Sequence, residues 1–265
     1  MVINGFSSIR RLSLAAATLA AAASLGLAGA ASADVLVNVN FSSHWSTGGE
    51  IAPAGTPGAL TSGTMDWNNV QANTNAGSGN YSGGASNLVD TNGNTTSMGV
   101  TVSPLKGGYN GNPNQESGTN VMLYNYMSGG MTQAAPAVVT FTGLDATGAT
   151  SYSVYVYNWY SWAAGSATTA VTEAGGTLPA AQTNTFTGNF STEGTTFTSG
   201  VNYVLFTGLK ANAAGDLQLS GYGDAGFNGV QLDAASALVP EPSTVKLALL
   251  GVLGMGLLLK KRKMA

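Results

Sequence analysis

The sequence predicts an all-β protein: a single jelly-roll-like β-sandwich, flanked by an N-terminal signal helix and a C-terminal transmembrane helix. Three observations support this fold class. Between the two ends, short runs alternate apolar and polar residues with the period of two that is typical of strands. Gly, Asn, Asp or Pro separates these runs, and no stretch between the ends has the 3.6-residue period of a helix. Many short strands separated by turn residues indicate a sandwich or barrel.

The first 33 residues have the pattern of a signal peptide. Arg10 and Arg11 form a positive start, a stretch rich in Ala and Leu follows, and Ala31 and Ala33 form an A-x-A cleavage site. We therefore expect export through the secretory translocon and cleavage by signal peptidase. The mature chain should begin near Asp34.

Residues 34–238 are predicted to form one sandwich domain. The first run, VLVNVNF, places Val35, Val37, Val39 and Phe41 on one face, which is typical of a half-buried strand. Similar runs occur at 99–102, 120–127, 137–142, 152–160, 167–173, 183–190, 202–206, 216–220 and 228–233. This number of short strands fits a jelly roll.

Residues 42–98 are rich in Gly, Asn, Ser and Thr and are expected to form a long loop, whose length indicates function or mobility. Near its end, DTNGNTTSMGVT begins like an EF-hand calcium loop, with Asp90, Asn92 and Asn94. The sixth and twelfth positions, which need Gly and Glu, are both Thr. A hairpin turn through Asn92 and Gly93 explains the run better, because that pair accepts positive φ at both central positions. A structural calcium site built from separate loops stays open, with no ligands assigned.

The body carries an acidic charge. Between Asp34 and Val239 two basic residues, Lys106 and Lys210, stand against eleven acidic ones, which gives a net charge of −9. Such a surface does not hold nucleic acid, since phosphate binding depends on Lys and Arg. It is also repelled by anionic lipid surfaces.

The sequence does not indicate a catalytic site. His44 is the one histidine, there is no cysteine, and no G-x-S-x-G nucleophile motif occurs. The acids of the body that follow Asp34 are scattered: Glu50, Asp66, Asp90, Glu116, Asp145, Glu173, Glu193, Asp216, Asp224 and Asp233. Glycoside hydrolysis needs two carboxyl groups held at a defined separation, and spacing along the chain nominates no pair.

An aromatic strand, YSVYVYNWYSW, is the most distinctive feature inside the body. Tyr155, Tyr157 and Trp159 alternate onto one face, and Tyr152 and Tyr160 lie on the other with two valines. The pattern favours burial of both faces, one under the opposing sheet and the other under the 42–98 segment, because large aromatics mostly supply core area. The alternative is an exposed platform of three rings that stacks against sugars.

The C-terminus combines an apolar run with a basic cluster. Residues 244–259, as a helix, span roughly 24 Å, which is a marginal length for a hydrocarbon core of about 30 Å. Lys260, Lys261, Arg262 and Lys263 follow directly and are expected to stay on the cytoplasmic side.

Residues 239–265, in which Pro240, Glu241 and Pro242 precede the apolar run and the basic cluster, resemble the PEP-CTERM sorting signal. The resemblance implies processing by exosortase, a membrane-embedded cysteine transpeptidase-like enzyme, in a Gram-negative bacterium that often makes exopolysaccharide. It also implies that Pro240, Glu241 and Pro242 are recognised rather than catalytic, and that the chain passes through the inner membrane on its way to the cell surface or matrix.

The body is similar to galactose-binding-like β-sandwich modules of secreted bacterial proteins. The similarity rests on MDWNNV, NLVDTNGNTTSMGVTV, FTGLDATGATSYSVYVYNW, NYVLFTGLKANAAGDLQLSG and GFNGVQL. It implies the fold, and carbohydrate binding only as one function among such modules.

Together these features lead to the expectation of a non-enzymatic protein of the cell surface or extracellular matrix. It would be structural, or would bind carbohydrate such as exopolysaccharide weakly. The alternative is an enzyme that acts on extracellular polysaccharide, which needs a cleft with converging polar groups.

Overall fold

A computed structural model describes residues 35–43, 58–60, 67–72, 81–105, 107–109, 123, 126–128, 132–160, 163–188, 193 and 196–235. All of them lie in one compact unit, Asp34–Ala237. The described part contains thirteen strands: β1 (Val35–Ser43), β2 (Trp67–Ala72), β3 (Tyr81–Ala85), β4 (Gly99–Leu105), β5 (Gly107–Tyr109), β6 (Tyr126–Ser128), β7 (Ala137–Thr142), β8 (Ser151–Tyr157), β9 (Gly165–Glu173), β10 (Gln182–Phe186), β11 (Tyr203–Leu209), β12 (Leu217–Gly223) and β13 (Gly229–Ala235).

The strands form two main sheets. The five-stranded sheet has the order β11-β8-β13-β1-β2, and the six-stranded sheet has the order β10-β9-β12-β7-β4-β3. Strands β5 and β6 form a separate pair. Among the described strands, β1 and β2 pair in parallel, and the other pairs are antiparallel. The predicted all-β sandwich is confirmed.

An aliphatic and aromatic core lies between the sheets. Val37, Val39 and Phe41 of β1 are fully enclosed in it, and the Phe41 ring lies 6.2 Å from the ring of Phe227. Val35 is partly buried against the same core. The face predicted for the first strand is therefore confirmed, because alternation placed these four residues on one side of the chain.

The other face of β1 is buried as well. Leu36 is 5 % exposed, and Asn38 and Asn40 are 0 % exposed. The prediction of a half-buried strand was therefore wrong on this side. The strand lies inside the sheet, between β13 and β2, and the paired strands β5 and β6 also contact it.

The long loop predicted at 42–98 contains two strands, β2 and β3. Each lies at an edge of its sheet, so each has a strand neighbour on one side only. Edge strands are often short and polar and do not need the alternating pattern of a buried strand. The run YSGGA of β3 also has two glycines and little to alternate. For these reasons the period-two pattern missed both strands.

Candidate functional site

The outer face of the five-stranded sheet carries two rows of mostly polar and aromatic side chains. Strand register places partners side by side on one face. The first row contains Tyr203, Tyr157, Gly229, Asn40 and Asn69, and the second contains Leu205, Tyr155, Gln231, Asn38 and Trp67. We call this surface the amide face. It spans the whole sheet, from β11 at one edge to β2 at the other.

Hydrogen bonds connect the amide groups of this face. The Tyr157 hydroxyl donates to Gln231 Oε1, and Gln231 Nε2 donates to Asn38 Oδ1 over 2.9 Å. In the neighbouring row, Asn40 Nδ2 donates to Asn69 Oδ1 over 2.9 Å. Buried amides are tolerated in a folded protein when such partners satisfy them. The face is therefore an ordered polar network.

Residues 58–60, which we call the strap, lie on this network. The backbone N–H of Ala59 donates to the Tyr157 hydroxyl over 2.6 Å. The N–H of Leu60 donates to Gln231 Oε1 over 3.1 Å, and the C=O of Leu60 accepts from Gln231 Nε2 over 3.0 Å. One side-chain amide thus binds both backbone groups of a single residue. Burial raises the pKa of Tyr157 far above its usual range, so its hydroxyl keeps its proton.

The three rings nominated from the sequence do not form an exposed platform. Tyr157 and Trp159 are 0 % exposed. Tyr155 is half-buried, and its ring lies 5.8 Å from the ring of Tyr203. Burial, the favoured expectation, therefore applies fully to two of the three rings. The platform of three exposed rings was wrong as an alternative.

The cover of these rings comes from more segments than expected. Part of the 42–98 region, the strap, does contact Tyr157. However, Phe197 also packs edge-on against Tyr157, with ring centroids 5.2 Å apart. Trp159 belongs to a buried cluster with Phe186 of β10. The expected cover was thus one loop, and the observed cover also uses β10 and the chain that leads into β11.

Glu193 binds the indole of Trp159. Trp159 Nε1 donates to Glu193 Oε2 over 3.0 Å. The carboxylate also accepts from the backbone N–H groups of Thr187 and Gly188. Burial raises the pKa of Glu193, but these hydrogen bonds outweigh it and hold the pKa below its ordinary value. The ionised carboxylate of Glu193 therefore binds the buried indole of Trp159.

The Asp90 run forms a turn, but a different one from that predicted. The Gly93 N–H donates to the Asp90 C=O, and the Asp90 N–H donates to the Asn94 C=O. Gly93 has a φ of 81°, while Asn92 does not have a positive φ. The expectation of positive φ at both central positions was therefore wrong. The pattern is a three-residue hairpin loop with glycine in the left-handed position.

The Asp90 carboxylate accepts hydrogen bonds from backbone groups of this turn. Its Oδ1 accepts from the backbone N–H groups of Asn92 and Asn94, over 2.9 and 2.8 Å. Burial raises the pKa of Asp90, but the hydrogen bonds from Asn94 and Asn92 outweigh it, so the net pKa is lowered. Among the described residues, no group of three His, Asp or Glu side chains could hold a metal ion.

Other described carboxylates also accept hydrogen bonds, from their own turn or from a distant segment. Asp145 accepts from Thr147 and Thr150 in its own turn, and the hydrogen bond from the Thr147 side chain is the main reason that its pKa is lowered. Asp224 Oδ2 accepts from the backbone N–H of Ser166. Glu173 accepts from Asn212. His44, Glu50, Asp66 and Glu116 lie outside the described residues.

Sequence reasoning missed the residues at the centre of the amide face. Gln231 lies between the buried aliphatic residues Val230 and Leu232, and its two bonds to the strap join positions that are 171 residues apart. One signal was available in the first strand, since Asn38 and Asn40 alternate with buried valines. Two amides at alternate positions of one strand indicate a shared polar face.

Both ends of the chain lie outside the described residues. The cleavage-site residues Ala31 and Ala33, the two flanking helices, the Pro240–Glu241–Pro242 motif and the 260–263 basic cluster are therefore expectations as far as their structure is concerned. Within the residues that the structure describes, no helix is long and apolar enough to cross a membrane.

Comparison with known families bears on the C-terminal tail. Residues 238–263 carry a PEP-CTERM protein-sorting motif. This motif supports an exported protein that passes through a membrane-anchored intermediate and has exosortase as its processing partner. The resemblance seen in the tail sequence is confirmed by the match. No curated protein and no solved structure matches the chain.

Proposed function

We propose that the chain is a non-enzymatic protein of the bacterial cell surface or extracellular matrix, whose sandwich body has a structural role and makes weak contacts with carbohydrate. The observation that carries this proposal is the PEP-CTERM motif at 238–263, which supports export and exosortase processing. The A-x-A site at Ala31 and Ala33 is consistent with export, because it would release a body that begins near Asp34.

The body supports a role without catalysis. A general acid needs a carboxyl group whose pKa is raised, and a nucleophile needs a carboxylate that is free to reach the substrate. Instead, Asp90, Asp145 and Glu193 accept hydrogen bonds from neighbouring residues that lower their pKa values. Ionised carboxylates that already bind donors of the protein favour a structural role over either catalytic one.

Mass spectrometry of the exported protein tests the sorting half of the proposal. We expect a mature N-terminus near Asp34 and a C-terminus that lacks Lys260 to Lys263. Glu241→Ala should leave the tail attached in a larger fraction of molecules, with the fold of the body unchanged. Surface protein that retains the basic cluster in cells with active exosortase would contradict processing.

A polysaccharide assay tests the other half. Purified protein incubated with the extracellular polysaccharide of its own cells should release no reducing ends. It should, however, co-sediment weakly with that polysaccharide. Steady release of reducing ends would contradict the non-enzymatic role and favour the polysaccharide-active enzyme.

A further inference from the structure

The strap occupies a polar site that is built from side chains. Gln231, Asn38 and Tyr157 are all 0 % exposed, and each of them contributes to the hydrogen-bonded network under the strap. Gln231 binds one donor and one acceptor of the strap, the N–H and C=O of Leu60. A side-chain amide that pairs with an adjacent donor and acceptor can pair in the same way with neighbouring hydroxyl groups of a sugar.

A second, independent observation concerns Trp67. Its indole Nε1 is enclosed but has no hydrogen-bond partner among the residues that the structure describes. Trp67 is the register partner of Asn38, and both Trp67 and Ala59 of the strap pack against the cluster that contains Tyr157. A buried donor without an acceptor costs about 1–3 kcal/mol. Trp67 Nε1 is therefore a polar group of the amide face that no described residue satisfies.

Aromatic rings extend the face toward its other edge. Tyr155 and Tyr203 are both half-buried, and their rings lie 5.8 Å apart. Three strand spacings separate Tyr155 from Trp67 in the second row, which is about 14 Å. Rings with an apolar body and a polar tip suit the stacked faces of sugars. The row is thus long enough for several sugar units.

The charges of the protein indicate whether an anionic or a neutral glycan could bind the amide face. Both rows of the amide face consist of uncharged residues. Lys210 is the one basic residue in the described part of the chain, and the body as a whole has a net charge of −9. An anionic polysaccharide would be repelled and would find no cationic partner among the described side chains of this face. A neutral glycan meets neither obstacle.

We propose that the amide face is a binding site for a neutral oligosaccharide segment, and that the strap occupies this site when no glycan is bound. Hydroxyl groups of the glycan replace Leu60 on Gln231, and a glycan oxygen accepts from Trp67 Nε1. The inference rests on the proposed carbohydrate contact and names its surface and its ligand class.

Substitution of Gly58 distinguishes a strap that a glycan displaces from a purely structural strap, because loosening only the first should increase the affinity for the glycan. Its φ is 127°, and a Cβ at this position would meet the Gln231 side chain at 2.6–2.7 Å. Because an L side chain rarely adopts this φ and its Cβ would displace the Gln231 amide, Gly58→Ala should weaken the bonds between Gln231 and the strap. Leu60→Pro should do the same by another route, because proline has no N–H to donate to Gln231. Opening the strap raises the fraction of binding-competent molecules and so the apparent affinity.

The experiment is affinity electrophoresis of the full-length protein in detergent, in native gels that contain dextran, galactomannan or xyloglucan, with alginate as the anionic gel. We expect at least one neutral gel to retard wild type. Gly58→Ala and Leu60→Pro should bind that glycan about fivefold or more tightly than wild type. Trp67→Phe, which removes only the orphan N–H and keeps a ring, should weaken binding about two- to tenfold while the Tm stays equal or rises. Tyr222→Ala, a half-buried tyrosine of the six-stranded sheet, is the matched control and should bind as wild type does.

Four results would overturn the inference. If neutral glycans retard wild type but the strap and Trp67 variants bind equally, the contact lies on another surface and the proposed function survives. If neither wild type nor the strap variants are retarded, the carbohydrate contact is withdrawn, whereas sorting, measured by mass spectrometry, is unaffected. Equal or stronger retardation by alginate would refute the neutral class. Dimerisation of the strap variants in light scattering would show that the face accepts a protein segment instead.

Discussion

The two outer faces of the sandwich are both polar, yet they differ in environment. On the six-stranded sheet, which we call the hydroxyl face, the outward side chains include Thr101, Thr140, Thr168, Thr172, Thr183 and Gln218, all half-buried or exposed. On the five-stranded sheet, by contrast, Asn38, Asn40 and Gln231 are 0 % exposed.

Hydrogen bonding explains how each face is tolerated. The hydroxyl face forms loose cross-strand contacts, such as Thr168 to Thr183 over 2.9 Å and Gln218 Nε2 to Thr140 Oγ1 over 3.3 Å. Water can replace these contacts at little cost. On the amide face no water replaces a lost partner, so each amide needs its bonds within the protein. The same kind of substitution should therefore have a small effect on one face and a large effect on the other.

The largest expected effect is at Trp159, the buried ring that follows β8. Trp159→Ala removes a ring that is 0 % exposed and should lower the free energy of unfolding by about 3–5 kcal/mol. In a body of this length, that corresponds to a fall in Tm of about ten degrees. Thermal unfolding followed by circular dichroism measures it, with Thr183→Ala on the hydroxyl face as the control. A fall of only one or two degrees would mean that the ring is not enclosed.

The next effect tests the amide network itself. Gln231→Leu keeps the approximate size of the side chain but removes the partner of Tyr157, Asn38 and Leu60. We expect a loss on the order of 3 kcal/mol, since buried groups are left without a bond. Urea unfolding provides the measurement. Wild-type stability in this variant would show that the network has no energetic role.

Glu193 should give a smaller effect that depends on pH. Its folded pKa lies below the ordinary value of 4.5, so its ionised form stabilises the fold above that value, and the contribution is lost as pH falls through the folded pKa. Glu193→Gln should cost about 1–2 kcal/mol at pH 7. The difference from wild type should shrink at pH 3. A difference that stays constant between the two pH values would contradict the role of the charge.

The smallest effect is expected on the hydroxyl face. Thr140→Val removes the hydroxyl that accepts from Gln218. Because both side chains reach solvent, the free energy of unfolding should change by about 0.5 kcal/mol or less. A matched urea titration beside Gln231→Leu compares the two faces directly. Comparable losses in the two variants would remove the distinction between them.

Local sequence patterns were sufficient to predict the fold class, the core face of the first strand and the sorting motif of the tail. The all-β class follows from period-two alternation, and the core face of β1 follows from the positions of Val37, Val39 and Phe41. The tail could be identified from Pro-Glu-Pro, an apolar run and a basic cluster in order, and the motif match at 238–263 agrees. Each of these signals is contained in a short stretch of chain, so neighbouring residues suffice to define it.

Tertiary structure alone decided which polar face is covered. Alternation placed Tyr155, Tyr157 and Trp159 on one side of a strand, but the contacts that bury them come from far along the chain. Ala59 reaches Tyr157 across 98 positions, and Leu60 reaches Gln231 across 171. The sequence by itself determined the strand periodicity and the sorting address, because both depend on the order of adjacent residues. Burial of the amide face depends on a segment that is distant along the chain, and no local sequence pattern indicates which distant segment will contact a strand.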